Sequence, residues 1–268
     1  FPIFPSYAAS FFKRSKLVIT WHEVWDEYWE TQGFARFPGW TIERMCARLS
    51  SRNIAVSDMT ASRLARIGGK GIHIIPNWVD LETIDKAKPA KRRYDIISTG
   101  RHLKSKNFDR LLTVSALLKK TKKDFSALIL GEGPGTYELL RLRRKLGLED
   151  CVDILSFCPE KEGLYSYMKA SSVFVLLSGL EGFSLSAMEA MACSLPILTT
   201  NGERNALKEL VKGNGFVCRE SEVEIASRLS QLLSDSKMRE KMGKASRKIA
   251  EAHNPENAMR KILKVYSS

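Results

Sequence analysis

The sequence predicts an α/β protein of the doubly wound kind, with parallel sheets assembled from βα units. Two observations carry that expectation. Short runs rich in β-branched and aliphatic residues, such as YDIIST and FSALILG, alternate with amphipathic stretches of helical length. Those runs are apolar almost throughout, as strands covered on both faces require. The size agrees: 268 residues, 44% hydrophobic and 27% charged, suffice for one large or two ordinary domains.

Taken in order, the first part of the chain shows a strand KLVITW and a helix across GWTIERMCARLS. A strand NIAVS, a helix DMTASRLARI and a strand IHIIP follow. Three strands are too few for an independent nucleotide-binding domain, so residues 1–78 read as a partial first domain whose front half is expected upstream of Phe1. The segment PNWVDLETIDKAKPAKRR, polar and with two prolines, reads as a linker. Residues 79–252 then carry the regular alternation: YDIIST, a helix over NFDRLLTVSALLKK, FSALILG, a helix over YELLRLRRKLG, VDILS, and a helix near EGLYSYMKA. SVFVLL, a helix SLSAMEAMAC, LPILT and a helix over ERNALKELV complete it before two further helices. The stretch 253–268 reads as a terminal helix, capped by Asn254 with Pro255 in its first turn and packing back toward the first domain.

The formal charge of +13 points to a polyanionic or phosphate-bearing partner, although most of the lysines between Lys86 and Lys123 fit a solvated face. No apolar run approaches the ~18 residues of a membrane span. Five scattered cysteines, Cys46, Cys151, Cys158, Cys193 and Cys218, lack metal or redox spacing and read as thiols in a reducing cytoplasm. The segment YAASFFKRSK reads either as an interfacial helix with its aromatics on a membrane or as an ordinary helix packed on the first domain, which fits slightly better.

Chemistry concentrates in SGLEGFSLSAMEAMACSLPILTT, where Glu181 and Glu189 stand with seven residues between them in apolar surroundings. Ligands of parallel sheets bind at the carboxyl ends of strands, and the amides opening the next helix attract phosphate. Glu181 is thus expected in a crevice beside a helix N-terminus, with Glu189 on the order of 8 Å further along the axis. Two acceptors flanking bound phosphate suit a nucleotide sugar, whose hydroxyls lie at both ends of a diphosphate. The pair taken alone is explained equally well by a helix dipole and an ordinary ion pair. Arg101 and Lys106, in the loop that follows Gly100, add a bidentate fork and a mobile point charge able to neutralise a diphosphate.

Together ITWHE, AVSDMT, IIPNWVD, STGRHLKSKN, LILGEGP, VDILSFCP and EGFSLSAMEAMACSLPIL resemble, in order, the retaining nucleotide-sugar glycosyltransferases of family 4, whose GT-B fold sets two Rossmann-like domains face to face. The resemblance implies a UDP- or GDP-sugar donor, no protein-bound metal or cofactor, and a glycan or lipid-linked acceptor. An anionic membrane surface is a further partner, with a cytoplasmic location peripheral to the inner face; no nucleic acid is expected. Arg101 and Lys106 would hold the diphosphate. The backbone at Gly182, Phe183, Ser184 and Leu185 would meet phosphates and sugar. Glu181 would contact the sugar hydroxyls, Glu189 the ribose, Phe157 to Pro159 the base, and His22 the acceptor or donor sugar. Gly131 and Gly133 would be structural. Retention would follow from same-face attack, the leaving phosphate taking the acceptor's proton.

Trp78 and Ser194 stand where the family has glycine, and TNGERNALKE lacks the usual paired glycines and proline. Three other readings stay open: a sugar-nucleotide epimerase of the same fold, a truncated protein that binds donor without transferring it, and a basic binding protein for nucleic acid or membrane. The last leaves the two glutamates unexplained.

Overall fold

A computed structural model describes residues 3–122, 124–156 and 161–267. They divide into two units, Phe1–Asn77 with Pro255–Ser268, and Trp78–Asn254. The first unit opens with helix α1 (Ile3–Phe12), whose Ile3 and Phe4 pack on the core while Phe11 and Phe12 are exposed. Strands β1 (Ile19–Trp21), β2 (Asn53–Ala55) and β3 (Ile72–Ile74) form a parallel sheet in that order. Helix α2 (Arg36–Arg48) lies between the first two and α3 (Asp58–Arg66), capped by the Ser57 hydroxyl, between the last two. Ile19, Trp21, Ala47, Leu64 and Ile67 fill this core.

The second unit begins with a helix inside the expected linker: Asp80 caps α4 (Leu81–Lys86), and Ile84 buries itself against the larger core. A polar segment becomes helical here because one capping carboxylate and one apolar anchor suffice for six residues.

Next come β4 (Tyr94–Thr99), α5 (Phe108–Thr121), β5 (Ala127–Leu130), α6 (Thr136–Lys145), β6 (Val152–Leu155), α7 (Lys161–Lys169), β7 (Ser171–Val175), α8 (Leu185–Ala192) and β8 (Ile197–Thr200). A strand β9 (Gly215–Cys218) and helices α9 (Glu222–Ser234) and α10 (Ser236–Ala252) end the unit. The helix expected over residues 203–211 is only a short 3-10 turn, Ala206–Leu210, because the preceding residues are used as a strand-like prop described below. The six strands are all parallel in the order β6-β5-β4-β7-β8-β9.

Both faces of this sheet are covered, and successive strand residues alternate between the two covers. Ile96, Ile129 and Val175 meet α5 and α9, whereas Ile97, Leu128 and Phe174 meet α7, α8 and α10. Helix α5 follows the expected spacing, with Phe108, Leu111, Leu112, Ser115 and Leu118 buried. Strand β4 passes through α5 to β5 on one side, while β7 returns to its other side. Their following loops diverge, and a crevice at such a switch point is where open α/β sheets bind ligands.

The terminal helix α11 (Pro255–Ser267) belongs to the first unit, where Ala258 and Val265 pack with Ile54 and Ile75. Among the described residues no helix is long and apolar enough to cross a membrane.

Candidate functional site

The two loops flanking the switch point are tied together by their backbones. After β4, residues 104–106 make a 3-10 turn ended by Asn107 in the left-handed region (φ 52°), a conformation asparagine tolerates better than most residues. The Asn107 side-chain amide donates to Leu177 O at 2.8 Å, and Gly179 N–H donates to Ser105 O at 2.8 Å. The loop after β7 is thereby stitched to the loop after β4.

That stitching brings Lys106 to Glu181. Lys106 Nζ donates to Glu181 Oε2 at 2.7 Å, with the lysine side chain 24% and the glutamate 9% exposed. Glu181 is held from behind as well: its N–H donates to Arg204 O and its carbonyl accepts from Ala206 N, both at 2.8 Å. Asn205 between them is fully buried. Its Nδ2 donates to Thr199 Oγ1 (2.8 Å) and Thr200 O (3.0 Å), and its Oδ1 accepts from Leu207 N (3.1 Å). The segment 204–206, reached through the atypical TNGERN stretch, is a prop for the glutamate.

Immediately after Glu181 and Gly182, Ser184 caps α8 by accepting from Ala187 N at 3.2 Å. The helix therefore opens beside the ion pair, where its first amides and positive dipole end favour an anion. Glu189 lies on the same helix, half-buried, and accepts a hydrogen bond from Tyr165 Oη at 3.1 Å. Burial, followed by the Glu189 charge, pushes the Tyr165 phenol well above its ordinary value, so it remains a donor.

Gly100 and Gly131 both take left-handed φ, 150° and 151°, and a Cβ on Gly131 would stand 2.0 Å from the Gly100 carbonyl oxygen. The GEGP turn thus lies on the backbone of the β4 loop, with His102 N–H donating to Glu132 O and Gly135 N–H to His102 O, each at 2.9 Å. Arg101, exposed and in no ion pair with a described residue, projects from this braced segment. His102 is buried, and burial holds its imidazole below the usual value. A separate cavity of about 410 Å³, lined by His102, Leu103, Phe108, Pro134 and Leu139 among others, includes neither Lys106 nor Glu181.

Among the described residues, buried polar atoms without a partner include His102 Nε2, Ser178 Oγ and Thr200 Oγ1, all at the carboxyl edge of the six-stranded sheet.

The structure therefore brings Lys106, Glu181 and the start of α8 together, with Gly182, Phe183 and Leu185 around it. His22 follows β1 in the other unit and is exposed. The neighbouring aromatics build its loop: Trp21 is core, and the Trp25 and Trp29 rings meet in a tilted pair with centroids 4.7 Å apart. Buried Glu43 accepts from Trp25 N, Asp26 N and Trp29 Nε1. Phe157 and Pro159 lie outside the described residues. Asn107, Tyr165 and Asn205 escape a sequence reading, although asparagine directly before a helix is a cue for the first. No group of three or more histidines, cysteines or carboxylates able to hold a metal occurs among the described residues.

The sequence profile for glycosyl transferases group 1 matches residues 80–249, well over half the chain. The chain belongs to this family. A second profile, Glycosyltransferase Family 4, matches residues 1–83 of this glycosyltransferase. Similar proteins include an uncharacterized glycosyltransferase of Haemophilus influenzae, 34% identical over 164 residues (60% of this chain, 45% of the relative). Another is the N-acetylgalactosamine-N,N'-diacetylbacillosaminyl-diphospho-undecaprenol 4-alpha-N-acetylgalactosaminyltransferase of Campylobacter jejuni, 33% identical over 204 residues (74% and 54%). The chain spans about half the length of these relatives. Among solved structures, Anabaena HepE, crystallised with UDP and glucose, superposes with a TM-score of 0.84 at 21% identity, covering 99% of this chain and 75% of that one. A mutant of S. aureus TarM, solved in complex with UDP, gives 0.77 at 18% identity (98% and 54%). The glycosyltransferase has the expected GT-B type of fold.

Proposed function

We propose that this glycosyltransferase takes a sugar from a nucleotide diphosphate donor, UDP-linked in the first instance, and transfers it with retention to a glycan or lipid-linked hydroxyl. The observation that carries this reading is the Lys106–Glu181 contact of 2.7 Å beside the opening of α8. It sets a cation, a carboxylate and helix amides around one point of the switch-point crevice. Arg101 and Lys106 neutralise the diphosphate. The backbone at Gly182, Phe183, Ser184 and Leu185 adds amides to it. Glu181 accepts from the sugar hydroxyls, Glu189 from the ribose, and His22 meets the acceptor or the donor sugar.

In the transfer, the bond from the anomeric carbon to the phosphate oxygen breaks with its electron pair left on phosphate. The acceptor oxygen bonds to that carbon on the same face, and its proton passes to the leaving phosphate. Fixed cations and helix amides stabilise the charge that grows there. The UDP found with HepE and TarM supports a uridine donor, and the diphospho-undecaprenol named for the Campylobacter relative supports a lipid-linked acceptor. A lipid-linked acceptor would bring the protein to an anionic membrane face, for which the exposed Phe11 and Phe12 beside Lys13 and Arg14 are suited.

A thermal-shift screen of UDP, GDP and their sugars tests the donor reading. At hundredfold excess over Kd a ligand stabilises by about 2.7 kcal/mol, so melting should rise by several degrees with the correct base and by clearly less in Lys106→Ala. Unchanged melting with every compound overturns the reading. In transfer assays, Glu181→Ala or Lys106→Ala should abolish turnover with the fold intact.

A further inference from the structure

The charge balance around Lys106 separates intact donor from spent nucleotide, an inference that rests on the donor reading above. An ammonium carries three hydrogen-bond donors, and Lys106 commits one to Glu181 at 2.7 Å. It is thus shared between a fixed carboxylate and any phosphate that reaches it. Glu181 has little room to withdraw, because its backbone is bonded on both sides to residues 204 and 206 and its side chain is nearly buried. A phosphate oxygen bonded to Lys106 consequently lies roughly 4.5 Å from the Glu181 carboxylate oxygen, the span of two charge-assisted bonds diverging at a tetrahedral ammonium.

At that distance the charge on the terminal phosphate decides the balance. In a nucleotide sugar each phosphate has one ester bond, to ribose or to the sugar, and one anhydride bond to the other phosphate, and carries one charge. Once the sugar leaves, the terminal phosphate gains a second ionisation near pH ~6 and approaches two charges at neutral pH. The intact donor also presents hydroxyls from which a carboxylate can accept, whereas the spent nucleotide presents none in their place.

We propose that Glu181 is a specificity-determining residue of this site: it accepts from the donor sugar and repels the nucleoside diphosphate left behind, favouring product release. Lys106 couples the two roles by keeping the phosphate beside the carboxylate.

Calorimetric titration of the full chain with UDP and with UDP-glucose tests this in wild type, Glu181→Gln, Lys106→Met and the double variant. Glu181→Gln should bind UDP about tenfold tighter, a Coulombic repulsion reduced by solvent access, and bind UDP-glucose no tighter. The gain should vanish in the Lys106→Met background, because the effect passes through that lysine. A merely structural defect would weaken both ligands. Glu181→Ala, expected to change UDP affinity in the same direction, replaces the glutamine variant if that one misfolds. Equal UDP affinity in wild type and variant, or equal gains for both ligands, overturns the proposal. A wild-type chain that binds neither these nor GDP and GDP-mannose defeats the donor reading itself, and the discrimination with it.

Discussion

The phenol of Tyr165 on α7 donates to Glu189 Oε1 on α8 at 3.1 Å, and burial keeps that phenol protonated. One carboxylate oxygen is thereby tied to the sheet cover and the orientation of the other is set. Tyr165→Phe should cost about 1 kcal/mol of stability, the net worth of one hydrogen bond. Nucleoside diphosphate affinity should fall several-fold if Glu189 meets the ribose. Titration with UDP beside a denaturation curve separates the two effects.

Asn205 makes three buried bonds while its neighbours on either side hold Glu181. Asn205→Ala is expected to destabilise by about 2–3 kcal/mol, from lost bonds and groups left without partners. Urea unfolding at unchanged m-value reads this directly. Donor affinity should decline in the same variant, since the prop behind the carboxylate is loosened.

Ser194 lies just beyond α8 with φ 60°, the region where a Cβ is strained and glycine is not. Ser194→Gly should therefore raise stability by about 0.5–1 kcal/mol, the strain relieved less the added freedom of the unfolded chain. A thermal melt checks it. At Gly243 on α10 an added Cβ would stand 2.3 Å from Ser194 O, so Gly243→Ala should lower melting.

Burial holds the His102 imidazole below its ordinary value of 6.5, favouring its neutral form in the folded protein. Its Nδ1 is 2.9 Å from Thr136 Oγ1. The unfolded chain binds the extra proton more readily, so this group's stability is fully present above about pH 6.5 and is lost as pH falls toward the depressed value. The limiting slope is about 1.4 kcal/mol per pH unit. Stability measured at pH 7 and 5 should fall more in wild type than in His102→Gln, a difference in which other titrating groups cancel.

Phe11 and Phe12 are 75% and 83% exposed at the end of α1, followed by Lys13, Arg14 and Lys16. Sedimentation with anionic vesicles should be reduced in the Phe11→Ala/Phe12→Ala double variant while neutral vesicles bind neither form. Binding of both proteins alike removes α1 as the contact.

The larger unit was legible in sequence because its signals are local. Strands β4 to β8 are short runs rich in β-branched and aliphatic residues, and α5 shows its face in a spacing of three and four. Strand β9 was not, since GFVC is short, begins with glycine and becomes a strand only by pairing with β8. Helix α4 was hidden in polar residues, and the helix expected over 203–211 shrank because Asn205 spends its hydrogen bonds on β8 and residue 207.

For the site, the residue types of Arg101, Lys106, Glu181 and Glu189 already offered groups suited to phosphate and hydroxyls, because charge and hydrogen-bonding capacity belong to the residues themselves. That Lys106 and Glu181 meet at 2.7 Å across 75 positions of sequence was decided only by the tertiary structure. Contact at that range follows from the order of strands in the sheet and from loop bonds such as Asn107 to Leu177, which local periodicity does not encode.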